Sequence, residues 1–279
     1  MKRLKFVKYV GAGNDFVIIN NIDKKISPKT YSEIAKKLCQ QKFSIGADGL
    51  LIIEPSLKSN CEFKMVYYNS DGSRASMCGN GARCIVHYAY ELELCSDITN
   101  FETDSGIIYA EVKRADKVKI KLTEPREFKT DLMIKLENGK ELSVNFVNTG
   151  VPHTVIYVDD IDKVDVKSLG REIRYHKAFS PQGTNVNFVK VKDNHNLIVR
   201  TYERGVEDET LSCGTGVTAS AIISGVKDFV SSPVDCLTKS GEVLTIGFTK
   251  NNPEDMLSPV SNLFLEGRVK NVFCGEIVI

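Results

Sequence analysis

The chain has 279 residues, with 37 basic and 36 acidic side chains and a formal net charge of +1. This balance gives no electrostatic reason to expect nucleic acid or an anionic membrane as partner, and the length suits two domains better than one. No apolar run approaches a membrane span, and Lys8 breaks the apolar part of the basic opening MKRLKFVKYVG, so a small-molecule partner and a cytoplasmic location are expected.

The first half reads as short β-rich segments separated by Gly, Asn and Asp turns: KFVKYV (5–10), DFVIIN (15–20), GLLIIE (49–54), EFKMVYYN (62–69) and KVKIKL (117–122). Between them, KTYSEIAKKLCQQ (29–41) carries apolar residues at helical spacing, with Ser27-Pro28 as a start signal. From Cys78 the stretch CGNGARCIVHYAYEL is largely apolar and free of proline, which predicts a helix beginning at the cysteine. LTEPREFKTD (122–131) interrupts the strands with proline and charge, and the domain boundary is placed there, giving 1–124 and 125–267.

The second half repeats the style with TVIYVD (154–159), NVNFVKV (185–191), LIVRTYE (197–203) and VLTIGF (243–248). From Cys213, CGTGVTASAIISGV is small and apolar on every face, and such a helix belongs inside a protein. The last segment, NVFCGEIVI, follows the polar stretch TKNNPEDMLSPVSN, and residues 268–279 are expected to cross back and complete the first domain.

Three stretches recur in order. NDFVIINNID (from 14) resembles HTVIYVDDID (from 153), FSIGADGLLII (from 43) resembles FSPQGTNVNFV (from 179), and Cys78-Gly-Asn-Gly answers Cys213-Gly-Thr-Gly; the offsets are 139, 136 and 135. Three matches in register imply an internal duplication. The expected fold class is α/β (α+β): two pseudo-symmetric domains, each a β-rich sheet or barrel wrapped around a buried helix that starts at a cysteine.

A cysteine at such a helix start has a chemical use. The unperturbed thiol, with a pKa of about 8.5, is mostly protonated at neutral pH, and the exposed N–H groups of a helix N-terminus favour its thiolate. Flanking glycines let an anionic ligand approach the same N–H groups. A thiolate and a thiol on opposite sides of a carbon bearing hydrogen can invert its configuration, one taking a proton and the other returning one. No separate motif asks for metal or pyridoxal phosphate.

Other readings compete with this one. Cys78, Cys84 and His87 lie close in sequence, yet on a helix they point in diverging directions and cannot share one zinc ion. Cys39, Cys61, Cys84, Cys95, Cys236 and Cys274 read as reduced thiols acting as small hydrophobes. GAGNDF lacks the third glycine of a dinucleotide site, since Phe16 stands there. Glu207, Asp208 and Glu209 read as a solvated turn, and His153 either orients the site or makes a structural hydrogen bond.

GAGNDF, GADGLL, YNSDGSRASMCGNGARC, NTGVPHTV, GTNVNFV and YERGVEDETLSCGTG occur in one order along the whole chain. In this set the sequence closely resembles the diaminopimelate epimerases, cofactor-independent enzymes that interconvert LL- and meso-diaminopimelate on the route to lysine and peptidoglycan. The resemblance implies that Cys78 and Cys213 are the acid/base pair, in an active site between two similar halves, usually within a homodimer. It implies that Asn14, Asn69 and Asn185 bind substrate and that Glu203 and Arg204 grip its distal ammonium and carboxylate. Gly79, Asn80, Gly214 and Thr215 then hold the reacting carboxylate.

Three positions depart from the family pattern: Gly49 replaces a glutamine, Val151 replaces an asparagine, and one extra residue separates Glu203 from Cys213. The loop is expected to bulge and the helix start to be kept. Two other functions fit the paired cysteines: a two-thiol isomerase of the proline racemase or hydroxyproline epimerase type, and a redox protein in which Cys78 and Cys213 form a reversible disulfide.

Overall fold

The apolar runs become strands and the two cysteine-led stretches become helices in the computed structural model, which describes residues 3–114, 116–251 and 259–278. In the first half β1 (Arg3–Gly11), β2 (Asn14–Asn20), α1 (Tyr31–Cys39), β3 (Gly49–Glu54), β4 (Phe63–Asn69), β5 (Arg74–Ala75) and α2 (Gly79–Glu91) precede β6 (Ile98–Thr103), β7 (Gly106–Lys113) and β8 (Lys117–Lys121). The second half runs β9 (Arg126–Lys135), β10 (Glu141–Asn148), β11 (Pro152–Tyr157), α3 (Val166–Arg174), β12 (Asn185–Asp193), β13 (Asn196–Glu203), β14 (Asp208–Thr210) and α4 (Gly214–Val226). It continues through β15 (Val234–Leu237), β16 (Val243–Lys250) and β17 (Val260–Arg268), and β18 (Lys270–Val278) follows. The chain forms two compact units, one of residues up to Lys121 with those from Glu266 onward, the other Leu122–Leu265.

The internal duplication reappears as pairing. In the first unit β2 and β3 are parallel, β3 and β4 antiparallel, β4 and β6 parallel, and β6 and β7 antiparallel. In the second, β11–β12, β12–β13, β13–β15 and β15–β16 repeat that series in the same senses. Parallel neighbours need a crossover, which helices supply. Thus α1 and α3 occupy equivalent first crossovers, and α2 and α4 equivalent second ones.

The second crossover helix of each unit is the central one. α2 packs against β1, β2, β3, β7 and β8, while α4 packs against β10, β11, β12, β13, β15 and β16. On α4 every residue from Gly216 to Gly225 is buried, as its uniformly apolar sequence requires. Tyr31, Ile34, Ala35 and Leu38 of α1 join the Val17, Ile19, Leu50 and Ile52 side chains in a second apolar layer of the first unit. Among the described residues no helix is long and apolar enough to cross a membrane.

Two stretches differ from expectation. The segment read as an interruption, 122–131, is strand from Arg126 onward, paired antiparallel with β10. Most of β9 is exposed, with Glu127 and Asp131 at φ 61° and 55° and register shifts opposite them, so it lacks the alternation that betrays a half-buried strand. Helix α3 was not expected either; only Val166, Gly170 and Ile173 of its nine residues are buried. Of the polar stretch read as 249–262, residues 252–258 lie outside the described residues.

Candidate active site

Each candidate cysteine is the N-cap of its central helix. Cys78 has φ −145° and ψ 121° and Cys213 φ −128° and ψ 107°, the extended conformation that a cap residue adopts before the chain turns helical. Ala82 N donates to Cys78 O at 2.8 Å and Val217 N to Cys213 O at 2.9 Å. These are the first bonds of the two helices, and helix geometry leaves the N–H groups before them directed at the N-terminus, where an anion can bind. Cys213 is buried, Cys78 half-buried.

In the first unit the structure brings Asn14 and Asn80 together. Asn80 Nδ2 donates to Asn14 Oδ1 at 2.6 Å, and Asn14 Nδ2 donates to Asp48 Oδ2 at 2.9 Å. The fully buried Arg83 donates from Nη2 to Asn80 Oδ1 at 2.9 Å, one turn along α2 from Gly79. Asn69, at the end of β4, is not part of this chain; its amide donates to Ser73 Oγ at 2.9 Å within its own turn.

Asn69 pairs across the sheet with Gly49, and a Cβ there would stand 2.6 Å from the Tyr67 ring and 2.8 Å from Tyr68 O. Tyr67 therefore fills the space that a side chain at position 49 would need.

In the second unit Cys213 Sγ lies 3.4 Å from Thr215 Oγ1, and Thr215 O accepts from Thr149 Oγ1 at 3.1 Å. Asn185 is buried on β12; its Nδ2 donates to Pro152 O at 2.9 Å and its Oδ1 accepts from Arg204 N at 2.8 Å. Asn185 thereby holds the backbone where β13 ends, beside Glu203. The Arg204 guanidinium donates from Nη1 to Gln182 O at 3.1 Å.

The chain between Glu203 and Cys213, where a bulge was expected, makes a turn. Glu203 pairs with Asp208 across β13 and β14, Glu207 N donates to Glu203 O at 2.8 Å, and Gly205 and Glu207 take φ values of 96° and 59°. The helix start is unchanged. The acidic cluster is not simply solvated: Glu207 meets Arg174 at 3.2 Å, Asp208 meets Lys167 at 2.7 Å, and Glu209 receives two bonds from Arg200, at 2.6 and 2.8 Å. The last pair is well shielded; Lys167 and Arg174 come from α3, too far along the chain to be read locally, and Arg200 from the neighbouring strand β13.

His153 is buried on β11. Its Nδ1 accepts from Asn187 Nδ2 at 3.1 Å, so the proton sits on Nε2, which has no hydrogen-bond partner. Burial, followed by the positive charge of Arg204, lowers its pKa to about 3, so the ring is neutral. Asn187 also donates to Thr154 O at 3.0 Å and accepts from Thr201 Oγ1 at 3.0 Å. A Cβ at Gly216 would stand only 2.3 Å from Asn187 Oδ1, so the second glycine of the α4 start is a packing requirement.

Asp48, Arg83, Thr149 and Asn187 were not singled out from sequence. Asn187 had a signal, since it lies two residues after Asn185 and so on the same face of β12. The others are defined by contacts over 30 residues or more, or, for Arg83, by burial of a charged side chain.

A family model described as diaminopimelate epimerase matches residues 6–127 and 145–260. The chain belongs to the diaminopimelate epimerase family. The diaminopimelate epimerase of Aquifex aeolicus is 45% identical over 282 residues, covering 98% of each chain. That of Hydrogenobaculum is 43% identical over 281 residues, covering 97% of each. Solved structures outside that family share the fold of this chain. A PhzF-family phenazine biosynthesis protein from Bacillus anthracis has a TM-score of 0.74 at 17% identity, covering both chains in full. A hydroxyproline epimerase from Agrobacterium vitis has a TM-score of 0.69 at 15% identity, covering 99% of this chain and 92% of its own. At these identities the likeness is one of fold alone.

Proposed function

We propose that the protein epimerises LL-diaminopimelate to meso-diaminopimelate, without metal or organic cofactor, using Cys78 and Cys213 as paired acid and base. The observation that carries this reading is the repeated one: each unit sets one cysteine as N-cap of a buried helix whose first turn is Gly-x-Gly. The thiolate of one cysteine takes the α-proton, and the thiol of the other delivers a proton to the opposite face of the same carbon. The two sulfurs exchange protonation states, so the reverse reaction uses the same pair.

The difficulty is the weak acidity of an amino acid α-C–H. Each pKa unit of mismatch with the thiol costs about 1.4 kcal/mol. Helix-start N–H groups at Gly79, Asn80, Gly214 and Thr215 would oppose it by stabilising negative charge as it spreads into the carboxylate. Asn14, which accepts from Asn80, stands beside that first helix start, and Asn69 is a further substrate-binding amide. Arg204 matches a distal carboxylate, to which a guanidinium can donate two parallel bonds, and Glu203 matches a distal ammonium, with Asn185 setting the backbone of both.

The protein acts in the cytoplasm as a homodimer; Val272, Phe273 and Val278 of β18, all exposed, are the apolar side chains suited to a second copy.

The test is proton NMR of LL- and meso-diaminopimelate in D2O with reduced protein, a chelator and no added cofactor. Loss of the α-proton signal with growth of the other isomer, absent in Cys78→Ala, is the expected result. No exchange with either isomer removes this reading, and proline and hydroxyproline become the next substrates.

A further inference from the structure

Arg83 is a charged side chain with no surface exposure, placed four residues after Gly79 on α2. A buried guanidinium keeps its proton, so it donates and never accepts. Three groups along the same chain of hydrogen bonds, Asp48 holds the opposite role, because a carboxylate with two accepted bonds only accepts. Its Oδ2 receives Asn14 Nδ2 and Asp15 N, at 2.9 and 3.2 Å. The loop bearing Asp48 is pinned in turn. Asp48 N donates to Asp15 Oδ1 at 2.8 Å, and the buried Lys8 pairs with Asp15 Oδ2 at 2.7 Å and donates to Gly46 O.

Between these ends lie two amides, each able to flip. Asp48 requires the nitrogen of Asn14, which turns Asn14 Oδ1 toward Asn80; that oxygen requires the nitrogen of Asn80, which turns Asn80 Oδ1 toward Arg83. Arg83 can only donate to it, so no alternative assignment satisfies the chain. Each amide nitrogen uses one hydrogen in the chain and keeps the second for a ligand.

We infer that Asp48 and Arg83 are positioning residues, fixing the amides of Asn14 and Asn80 in one orientation with donors presented to the reacting amino acid group. This rests on the proposed function for the role of the two asparagines, but the orientation itself does not. Neither positioning residue touches the reacting carbon.

The test compares Asp48→Asn, Arg83→Gln, the two combined, and Arg83→Lys. Asparagine and glutamine can both donate and accept, so with both ends replaced the flipped chain is permitted, whereas either single variant keeps one end that fixes the direction, and lysine remains a donor alone. In the double variant KM for diaminopimelate should rise about 10-fold or more, with kcat within about 3-fold, as loss of one oriented hydrogen bond in uniform binding predicts, and it should rise less in each single variant. Arg83→Lys should stay within about 3-fold of wild type in both. A purely structural role would instead lower the melting temperature of all variants and leave KM of the folded protein unchanged.

A second readout needs no turnover. Side-chain amide NMR should show one exchange-protected signal pair for each of Asn14 and Asn80 in wild type, Arg83→Lys and each single variant, and doubled or averaged pairs in the double variant. Unchanged KM in the folded double variant overturns the inference, as does a wild type without protected pairs. Should wild type exchange no α-proton, the proposed function fails and the amide spectra alone decide the orientation. Asp48 is exposed, so where an Arg83 variant does not fold, Asp48→Lys, which sets a donor at each end and leaves no assignment that satisfies the chain, should give the same rise in KM.

Discussion

Helices α2 and α4 hold equivalent places in the two units, and both present a cysteine ahead of Gly-x-Gly, yet the polar groups behind the two sulfurs differ. At the fourth position after the first glycine α2 has Arg83 and α4 has Thr218. Both reach back to the glycine carbonyl, at 3.4 Å to Gly79 O and 2.8 Å to Gly214 O. Where α2 places Asn80 in an amide chain, α4 places the Thr215 hydroxyl beside the sulfur. Helix α4 also turns Ser220 and Ser224 onto its own carbonyls, Gly216 O and Ser220 O, which removes their polarity from the core. The backbone device recurs in both halves while the side chains around it differ, an amide chain ending in Arg83 beside one cysteine and the Thr215 hydroxyl beside the other.

The comparison is broken most directly at the cysteines. If both helices carry an acid/base group, Cys78→Ala and Cys213→Ala should each lower epimerisation by about 10³-fold or more, measured by coupled or NMR assay. A variant retaining a tenth of wild-type activity would make one helix start dispensable.

A smaller effect separates the two first turns. Gly216→Ala forces a methyl against Asn187, which is held by Thr154, Thr201 and His153, and should cost about 2 kcal/mol in denaturant unfolding. Gly81→Ala meets only the Leu51 methyls and the Phe16 ring, at 3.3 to 3.4 Å, and should cost less than about 1 kcal/mol. Equal costs would mean that the two starts are packed alike.

The smallest effect concerns His153. Its folded pKa of about 3 lies below the ordinary value of 6.5, so between those limits the unfolded chain binds the extra proton. The associated stability is complete above pH 6.5 and is lost as pH falls below it. Unfolding at pH 5 should therefore be easier than at pH 7.5 by on the order of 1 kcal/mol, and His153→Gln should flatten that difference. A wild-type stability constant across this range counts against a neutral buried ring.

The cysteine-led helices were legible because two independent signals coincide at each: a Gly-x-Gly step and a long apolar run without proline. Strands β2, β3 and β12 were equally plain from their apolar runs. Helix α3 was hidden because Gly170 occupies its inner face, packed so closely that a Cβ would lie 2.5 Å from that of Tyr202, and the remaining surface is charged. Lys8 illustrates a different limit. In sequence it only breaks an apolar run, whereas in the fold it is buried against Asp15 and supports the Asp48 loop. The fold class and the cysteine positions follow from local pattern; the polar supports depend on partners brought together by the sheet.

The pairing of β1 with β18, from Arg3 opposite Val278 to Val10 opposite Lys270, reverses the order in which the halves can mature. The ribosome releases the whole of the second unit before the strand that completes the first. Nascent β1 must wait with an unpaired side while the younger half closes over its own helix. Loop closure between such distant strands is slow relative to the local pairings of the second unit. The cysteine made first would then be the one whose surroundings are finished last.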